Sequence, residues 1–115
     1  MITIYHNPRC SKSRQTLALL EARGLEPRVI PYLDSPPDAA TLKSLLKKLG
    51  IGPRDLLRKG EEEYKANDLG NPDLDDQALI DAMVKYPRLI ERPIVVNGNR
   101  AALGRPPEAV LDILP

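Results

Sequence analysis

Apolar and polar residues alternate at the start of the chain, and this period of two predicts a short strand over Met1 to Tyr5. A segment with helical character follows from about Ser11 to Gly24, and its inward residues are predicted to be Leu17 and Leu20. Residues 28–32 are again β-favouring and predict a second strand. A strand, a helix and a strand joined by short connections form a right-handed unit, so we expect the two strands to be parallel.

The middle of the chain is predicted to be helical. Asp38 is a candidate cap and Gly50 a candidate end for the clearest amphipathic helix. The inward leucines of that helix are Leu42, Leu45, Leu46 and Leu49. A short helical turn is expected over residues 53–57, and Asp75 is a candidate cap for a further helix. The inward residues of this further helix are Leu79, Ile80 and Met83. The acidic run over residues 61–63 is interpreted as solvated surface.

The last quarter of the chain carries a hairpin pattern over residues 94–103, and Asn97-Gly98 favours a type I′ turn there. Two prolines at 106–107 then start a last helix. The predicted inward residues of that helix are Val110, Leu111 and Leu114. The element order is β-α-β, a helical insertion at about 38–88, β-β and α. This order predicts an α/β, thioredoxin-like fold with a mixed sheet of about four strands, in a single domain over residues 1–115.

Composition excludes several classes of function. The chain has 115 residues and a net charge of +1, which gives no electrostatic reason to expect binding to nucleic acid or to a membrane surface. No apolar run approaches the roughly 20 residues of a membrane span, and the first residues lack a signal-peptide pattern, so we expect a cytoplasmic protein. One cysteine and one histidine make an internal disulfide impossible and a zinc site built from these two residue types unexpected. No bound metal or cofactor is expected, and a monomer is the default.

The single cysteine, Cys10, lies between the first strand and the first helix, where backbone N–H groups and the helix dipole favour a thiolate. A free thiol has a pKa of about 8.5, and lowering this pKa by two units requires about 2.7 kcal/mol of stabilisation of the thiolate relative to the thiol. A helix terminus typically supplies roughly 0.3–1 kcal/mol, so further cations such as Arg9 and Arg14 are needed. The alternative is a small buried thiol without chemistry. The single histidine, His6, is by itself equally typical of a turn or capping residue.

Three further arginines, Arg58, Arg92 and Arg105, stand at predicted element boundaries. The planar guanidinium matches the geometry of an oxyanion, and several of them would hold a tetrahedral anion for attack by a thiolate. Each arginine taken singly is equally typical of a protein surface. Sequence spacing does not show whether they converge.

Four segments together resemble the successive motifs of the glutaredoxin-dependent arsenate reductase family, the ArsC type. They are His6-Asn7-Pro8-x-Cys10-x-x-Ser13-Arg14, Leu56-Leu57-Arg58-Lys59, Arg92-Pro93-Ile94-Val95-Val96 and Gly104-Arg105-Pro106. The resemblance implies a thioredoxin-like fold in which Cys10 is the arsenate nucleophile. It implies a substrate-binding triad of Arg58, Arg92 and Arg105. Residues implied to support the active-site loop are His6, Asn7, Ser13 and Arg14, and Pro93 matches the cis-proline of the fold.

The reaction implied by the resemblance uses arsenate as substrate, glutathione as co-substrate and glutaredoxin as protein partner. The presence of one cysteine also favours an external reductant, because the chain has no second thiol to supply electrons. Two alternatives stay open. One is a glutathione-dependent thiol reductase with another substrate. The other is a Spx-like regulatory protein without enzymatic activity, although Spx-type switches usually carry a Cys-x-x-Cys pair and position 13 here is Ser.

Overall fold

The computed structural model describes all residues, 1–115. The elements in chain order are β1 (Ile2–His6), α1 (Ser11–Ala22), β2 (Arg28–Pro31), α2 (Ala39–Leu49), α3 (Pro53–Leu56), α4 (Glu62–Ala66), α5 (Asp76–Lys85), a 3-10 helix (Pro87–Leu89), β3 (Ile94–Asn97), β4 (Arg100–Leu103) and a final 3-10 helix (Pro107–Ile113). The backbone divides into two units, Met1–Ser35 with Arg92–Pro115, and Pro36–Glu91. The insertion predicted at 38–88 falls inside the second unit.

The first unit is built on a mixed four-stranded sheet in the order β2-β1-β3-β4. Strand β1 pairs in parallel with β2 and antiparallel with β3, and β3 pairs antiparallel with β4. The predicted parallel β-α-β unit and the hairpin are therefore confirmed. The sheet, α1 and the final 3-10 helix pack together around a core, whose buried residues are Ile2, Ile4, Leu20, Val95, Val110 and Ile113. Because side chains alternate along a strand, His6 shares the buried face of β1 with Ile2 and Ile4.

Helix α1 presents polar as well as apolar residues to the core. Leu20 is buried and Leu17, which is half-buried, packs against the core, as predicted, and the other buried positions are Ser13 and Thr16. The helix therefore turns small polar residues inward, and simple apolar periodicity does not reveal this.

The last helical segment is a 3-10 helix, in which residues three apart lie above one another. Its buried residues follow that period and are Pro107, Val110 and Ile113. Of the predicted inward residues, Val110 is buried, Leu114 is half-buried and packs against the core, and Leu111 is exposed. The prediction for Leu111 was wrong because it applied the period of an α-helix.

The hairpin turn also differs from the prediction. Asn97 pairs with Arg100, so the two loop residues are Gly98 and Asn99, and Asn97 lies in the strand. Of these two residues only Gly98 has a positive φ, 61°. A positive φ at the first loop residue alone is the pattern of a type II′ turn, whereas type I′ requires it at both.

The second unit is helical, as predicted. The Asp38 side chain accepts a hydrogen bond from the Thr41 N–H at 2.8 Å, and Asp75 does the same for Ala78 at 2.8 Å. Gly50 ends α2 with a left-handed φ of 71°. The unit is packed around leucines of α2 and the apolar side of α5, which are Leu42, Leu45, Leu46, Leu79, Ile80 and Met83. None of the helices in the chain is long and apolar enough to cross a membrane.

Candidate active site

Cys10 occupies the cap position at the start of α1, directly after the loop that leaves β1. Its N–H donates to the Asn7 carbonyl oxygen at 3.0 Å, and its own carbonyl oxygen accepts from the Arg14 N–H at 3.0 Å. The thiol is nearly buried, with 7% of the residue exposed. At this position the first N–H groups of the helix have no carbonyl partner inside the helix, so they are available to a side-chain atom of the cap residue.

Several opposed effects set the pKa of Cys10, and the net result is a value below the ordinary one. Burial is the largest single effect and raises the pKa, because it disfavours the charged thiolate. The Ser13 N–H and then the Arg92 charge lower it, and the Lys12 N–H and a hydrogen bond from Arg92 lower it further. The donors together outweigh burial. The site therefore favours a thiolate at the end of β1.

The structure brings Arg92 to Cys10, although 82 positions separate them along the chain (92 − 10). Arg92 precedes Pro93, and the peptide bond between them is cis. The Arg105 guanidinium donates from Nη1 to the Arg92 carbonyl oxygen at 3.3 Å, so Arg105 lies beside the same segment. A second cis peptide bond, between Arg105 and Pro106, was not predicted. Two of the three predicted arginines are thus associated with each other.

Gly104 allows the Arg105 segment to approach α1 and the cis-proline closely. Its N–H donates to the Pro93 carbonyl oxygen at 3.0 Å. A Cβ atom at this position would overlap the Thr16 hydroxyl and would lie 2.7 Å from Cγ of Pro93. Thr16 is itself fully buried and donates from Oγ1 to the Lys12 carbonyl oxygen at 2.8 Å. No residue larger than glycine fits without displacing these groups.

His6, Asn7 and Ser13 form a hydrogen-bonded cluster under the loop. Ser13 Oγ lies 2.7 Å from His6 Nδ1 and accepts the Asn7 N–H at 3.0 Å. The Ser13 hydroxyl thus contacts the His6 ring and the Asn7 backbone at the same time. Burial and then the Arg14 charge lower the pKa of His6, which favours a neutral ring.

Further side-chain contacts hold the loop around Pro8. Arg14 donates from Nη1 to the Pro8 carbonyl oxygen at 2.9 Å, and Asn7 Oδ1 accepts the Arg9 N–H at 3.0 Å. All four residues that were predicted to support the loop, His6, Asn7, Ser13 and Arg14, therefore make contacts within it. Their contribution to activity stays a prediction.

Arg58 lies in the second unit, where two carboxylates contact its guanidinium. Glu61 lies 2.9 Å from Nη1, and Glu91 lies 3.5 Å from Nε. Glu61 also lies 3.6 Å from Nε of Arg88. The Arg58 N–H donates to the Leu89 carbonyl oxygen at 2.8 Å, which holds the backbone of Arg58 beside the segment that carries Glu91. The role of Arg58 as an oxyanion ligand stays a prediction.

Glu61 corrects the interpretation of the acidic run as solvated surface. Only 16% of its side chain is exposed, and it pairs with two arginines. Arg58 and Glu61 lie between α3 and α4 and not on one helix, so helical spacing gave no signal for this contact. Glu62, the next residue, is exposed as predicted.

The chain is similar to known proteins in both sequence and structure. The family model described as "ArsC family" matches residues 5–113. The Escherichia coli (strain K12) protein named "Uncharacterized protein YfgD" is 55% identical over 98% of this chain and 96% of its own length. An "Arsenate reductase" from Haemophilus influenzae (strain ATCC 51907 / DSM 11121 / KW20 / Rd) is 50% identical over 98% of each protein. The solved "Arsenate reductase from Vibrio cholerae" has a TM-score of 0.96 at 54% identity, over 98% of this chain and 97% of its own. The predicted α/β, thioredoxin-like fold is confirmed.

Proposed function

The chain belongs to the ArsC family, and from this premise we propose that it is an arsenate reductase with Cys10 as its nucleophile. Relatives named arsenate reductase that are about half identical over nearly the whole chain support the proposal. The observation that carries it is the lowered pKa of Cys10 beside Arg92. A thiolate and a guanidinium next to each other can attack and hold the same oxyanion.

In the proposed first step, the Cys10 thiolate attacks the arsenic atom of arsenate, an As–S bond forms, and a hydroxide or water leaves. Negative charge on the arsenate oxygens is opposed by Arg92 and by Arg105, which donates to the Arg92 backbone. Arg58 is the proposed third ligand. The N–H groups of Ser13 and Lys12 stabilise the sulfur before attack.

The second step supplies the electrons. Reduction of arsenic(V) to arsenic(III) takes two electrons, and the chain holds one thiol. We infer that glutathione provides the second thiol: an S–S bond forms between glutathione and Cys10, the As–S bond breaks, and the electron pair stays on the arsenic, which leaves as arsenite. Glutaredoxin then reduces the mixed disulfide and regenerates Cys10. The proposed enzyme needs no bound cofactor and works as a cytoplasmic monomer.

The test is arsenate-dependent NADPH oxidation, coupled through glutathione, glutaredoxin and glutathione reductase. We expect turnover with the unmodified chain and loss of turnover with Cys10→Ser. Turnover by Cys10→Ser at the unmodified rate would eliminate the proposed nucleophile. Reduction of a disulfide substrate with glutathione, without any reduction of arsenate, would instead identify a thiol reductase of this family with another substrate.

A further inference from the structure

Helix α1 carries a fully buried hydroxyl group, that of Thr16, to which the proposed reaction gives no role. The hydroxyl donates from Oγ1 to the Lys12 carbonyl oxygen at 2.8 Å. In an α-helix a carbonyl oxygen also accepts the N–H of the residue four positions further on, and for Lys12 that residue is again Thr16. The hydroxyl is therefore a second donor on a carbonyl group that the helix already satisfies.

The Lys12 carbonyl group belongs to the same peptide unit as the Ser13 N–H. Cys10 is the cap residue of α1, which makes Ser13 the third residue of the helix, and a cap side chain typically accepts from the second or third N–H. Among the groups that lower the pKa of Cys10, the Ser13 N–H has the largest effect. One planar peptide thus has the Thr16 hydroxyl at its oxygen and the Cys10 sulfur on the side of its nitrogen.

The surroundings of Thr16 hold the hydroxyl in this contact. Thr16 has no exposed surface, so water does not compete for the hydroxyl proton. The Gly104 backbone lies against both branches of the side chain, since a Cβ atom on Gly104 would overlap Oγ1 and would lie 3.1 Å from Cγ2 of Thr16. Packing therefore restricts the rotamer of this β-branched residue, and Oγ1 stays directed at the Lys12 carbonyl oxygen.

We propose that Thr16 is a positioning residue for Cys10, because its hydroxyl holds and polarises the peptide whose N–H is directed to the sulfur. Hydrogen bonds in a chain polarise one another, so a bond accepted at the peptide oxygen strengthens the donor at the nitrogen of the same peptide. The bond also fixes the peptide plane and with it the direction of the N–H. This inference rests on the proposed function, which requires Cys10 as a thiolate, and Thr16 acts on the sulfur only through the Lys12–Ser13 peptide.

The alternative is that the hydroxyl bonds to Lys12 only to satisfy its own proton, as serine and threonine side chains in helices often do. The two explanations differ in one observable, the pKa of Cys10. In the proposal, loss of the hydroxyl weakens the Ser13 donor and raises this pKa. In the alternative, the sulfur is unaffected.

Thr16→Val is the decisive variant, because it removes the hydroxyl and keeps the branched shape of the side chain. Cooperative strengthening is roughly 10–30% of a hydrogen bond, and the bond in question is made to a charged group. We therefore expect the pKa of Cys10 to rise by roughly 0.3–0.5, and alkylation by iodoacetamide near pH 6 to slow about twofold to threefold. The plateau rate at high pH, where the thiol is fully ionised, should stay the same because access to the sulfur is unchanged.

Three further variants separate the hydroxyl from packing. Thr16→Ser keeps the hydroxyl and loses the methyl group, so its pH profile should stay with that of the unmodified chain. Thr16→Ala also lacks the hydroxyl and should show the same rise as Thr16→Val, so the test does not depend on one substitution. Thr3→Val makes the same chemical change at a half-buried position of β1 and should leave the profile in place. Urea unfolding shows that each variant is folded under the conditions of the assay.

An unchanged midpoint of the alkylation profile in folded Thr16→Val would overturn the proposal. An equal rise in Thr16→Val and Thr16→Ser would also overturn it, because the methyl group and not the hydroxyl would then be responsible. The assay contains no arsenate, so its result is separable from the proposed function. Arsenate turnover by the unmodified chain with an unshifted Thr16→Val profile would refute the role of Thr16 alone. A shifted profile in a chain that reduces no arsenate would refute arsenate reduction alone.

Discussion

Replacement of Arg92 by methionine should remove the side-chain contribution to the acidity of Cys10. Methionine keeps an unbranched stem of similar reach and loses both the charge and the hydrogen bond. Both interactions stabilise the thiolate and leave the neutral thiol unaffected. Since Cys10 is the single cysteine of the chain, every thiol signal reports on this residue.

The size of the effect follows from the contacts that remain. A hydrogen bond to a charged group contributes roughly 1.5–3 kcal/mol, and we take the lower end because the Ser13 and Lys12 N–H groups still face the sulfur. About 1.4 kcal/mol corresponds to a tenfold decrease in the thiolate fraction at a pH below the pKa. We therefore expect alkylation by iodoacetamide near pH 6 to be about tenfold slower in Arg92→Met, and the pH profile to move to higher pH.

Arg92→Lys is the matched control, because it keeps the charge and loses the planar fork. Its profile should lie between those of the unmodified chain and Arg92→Met. An Arg92→Met profile that coincides with that of the unmodified chain, in a protein with unchanged urea unfolding, would refute the assignment of Arg92 to the sulfur. The backbone donors would then account for the whole decrease in the pKa of Cys10.

Gly104→Ala should lower the free energy of unfolding by about 1–3 kcal/mol, because the new methyl group overlaps Thr16 and Pro93. Gly60→Ala has open space at this position and no positive φ, so its free energy of unfolding in urea titrations should stay within about 0.5 kcal/mol of the original. Equal effects of the two substitutions would contradict the packing argument. The pKa of His6 is lowered from its ordinary value of 6.5, so the unfolded chain binds a proton more readily and the free energy of unfolding should decrease as the pH falls below that value. His6→Gln should reduce this pH dependence between pH 7.5 and 5.5 in urea titrations, and an identical slope would show that other groups cause it.

Regular periodicity predicted the elements of this fold well. The leucines of α2 and the caps Asp38 and Asp75 are local signals, so the boundaries of both helices follow from neighbouring residues. Leu111 in the final segment was wrongly predicted to face inward, because a 3-10 helix and an α-helix both begin with proline and carry apolar residues but differ in period. The prediction of the turn type at Gly98 was wrong because the strand register decides which two residues form the loop. That register depends on the partner strand.

The site was predictable in its residue types and not in its contacts. Cys10 and the arginines were identified from chemistry and from motifs, but the approach of Arg92 to the sulfur depends on sheet pairing between β1 and β3. Glu61 was assigned to solvent because a run of glutamates is typical of a surface, although a nearby arginine changes that expectation. Arg54 was given no role, yet its guanidinium donates to the carbonyl oxygens of Leu69 and Asn71 at 3.0 and 2.6 Å. These residues are far from Arg54 in the sequence, so no local pattern indicates the contact.

Ser13 contacts three neighbours through its backbone N–H and its side-chain hydroxyl. Its amide hydrogen acts on the sulfur of Cys10, and its hydroxyl joins His6 to the Asn7 backbone. Every residue type except proline carries that amide, so replacement of the side chain leaves the main donor to the sulfur in place. Mutational scanning at position 13 will therefore measure how well the loop is ordered, because the contribution of Ser13 to the acidity of Cys10 comes from the main chain.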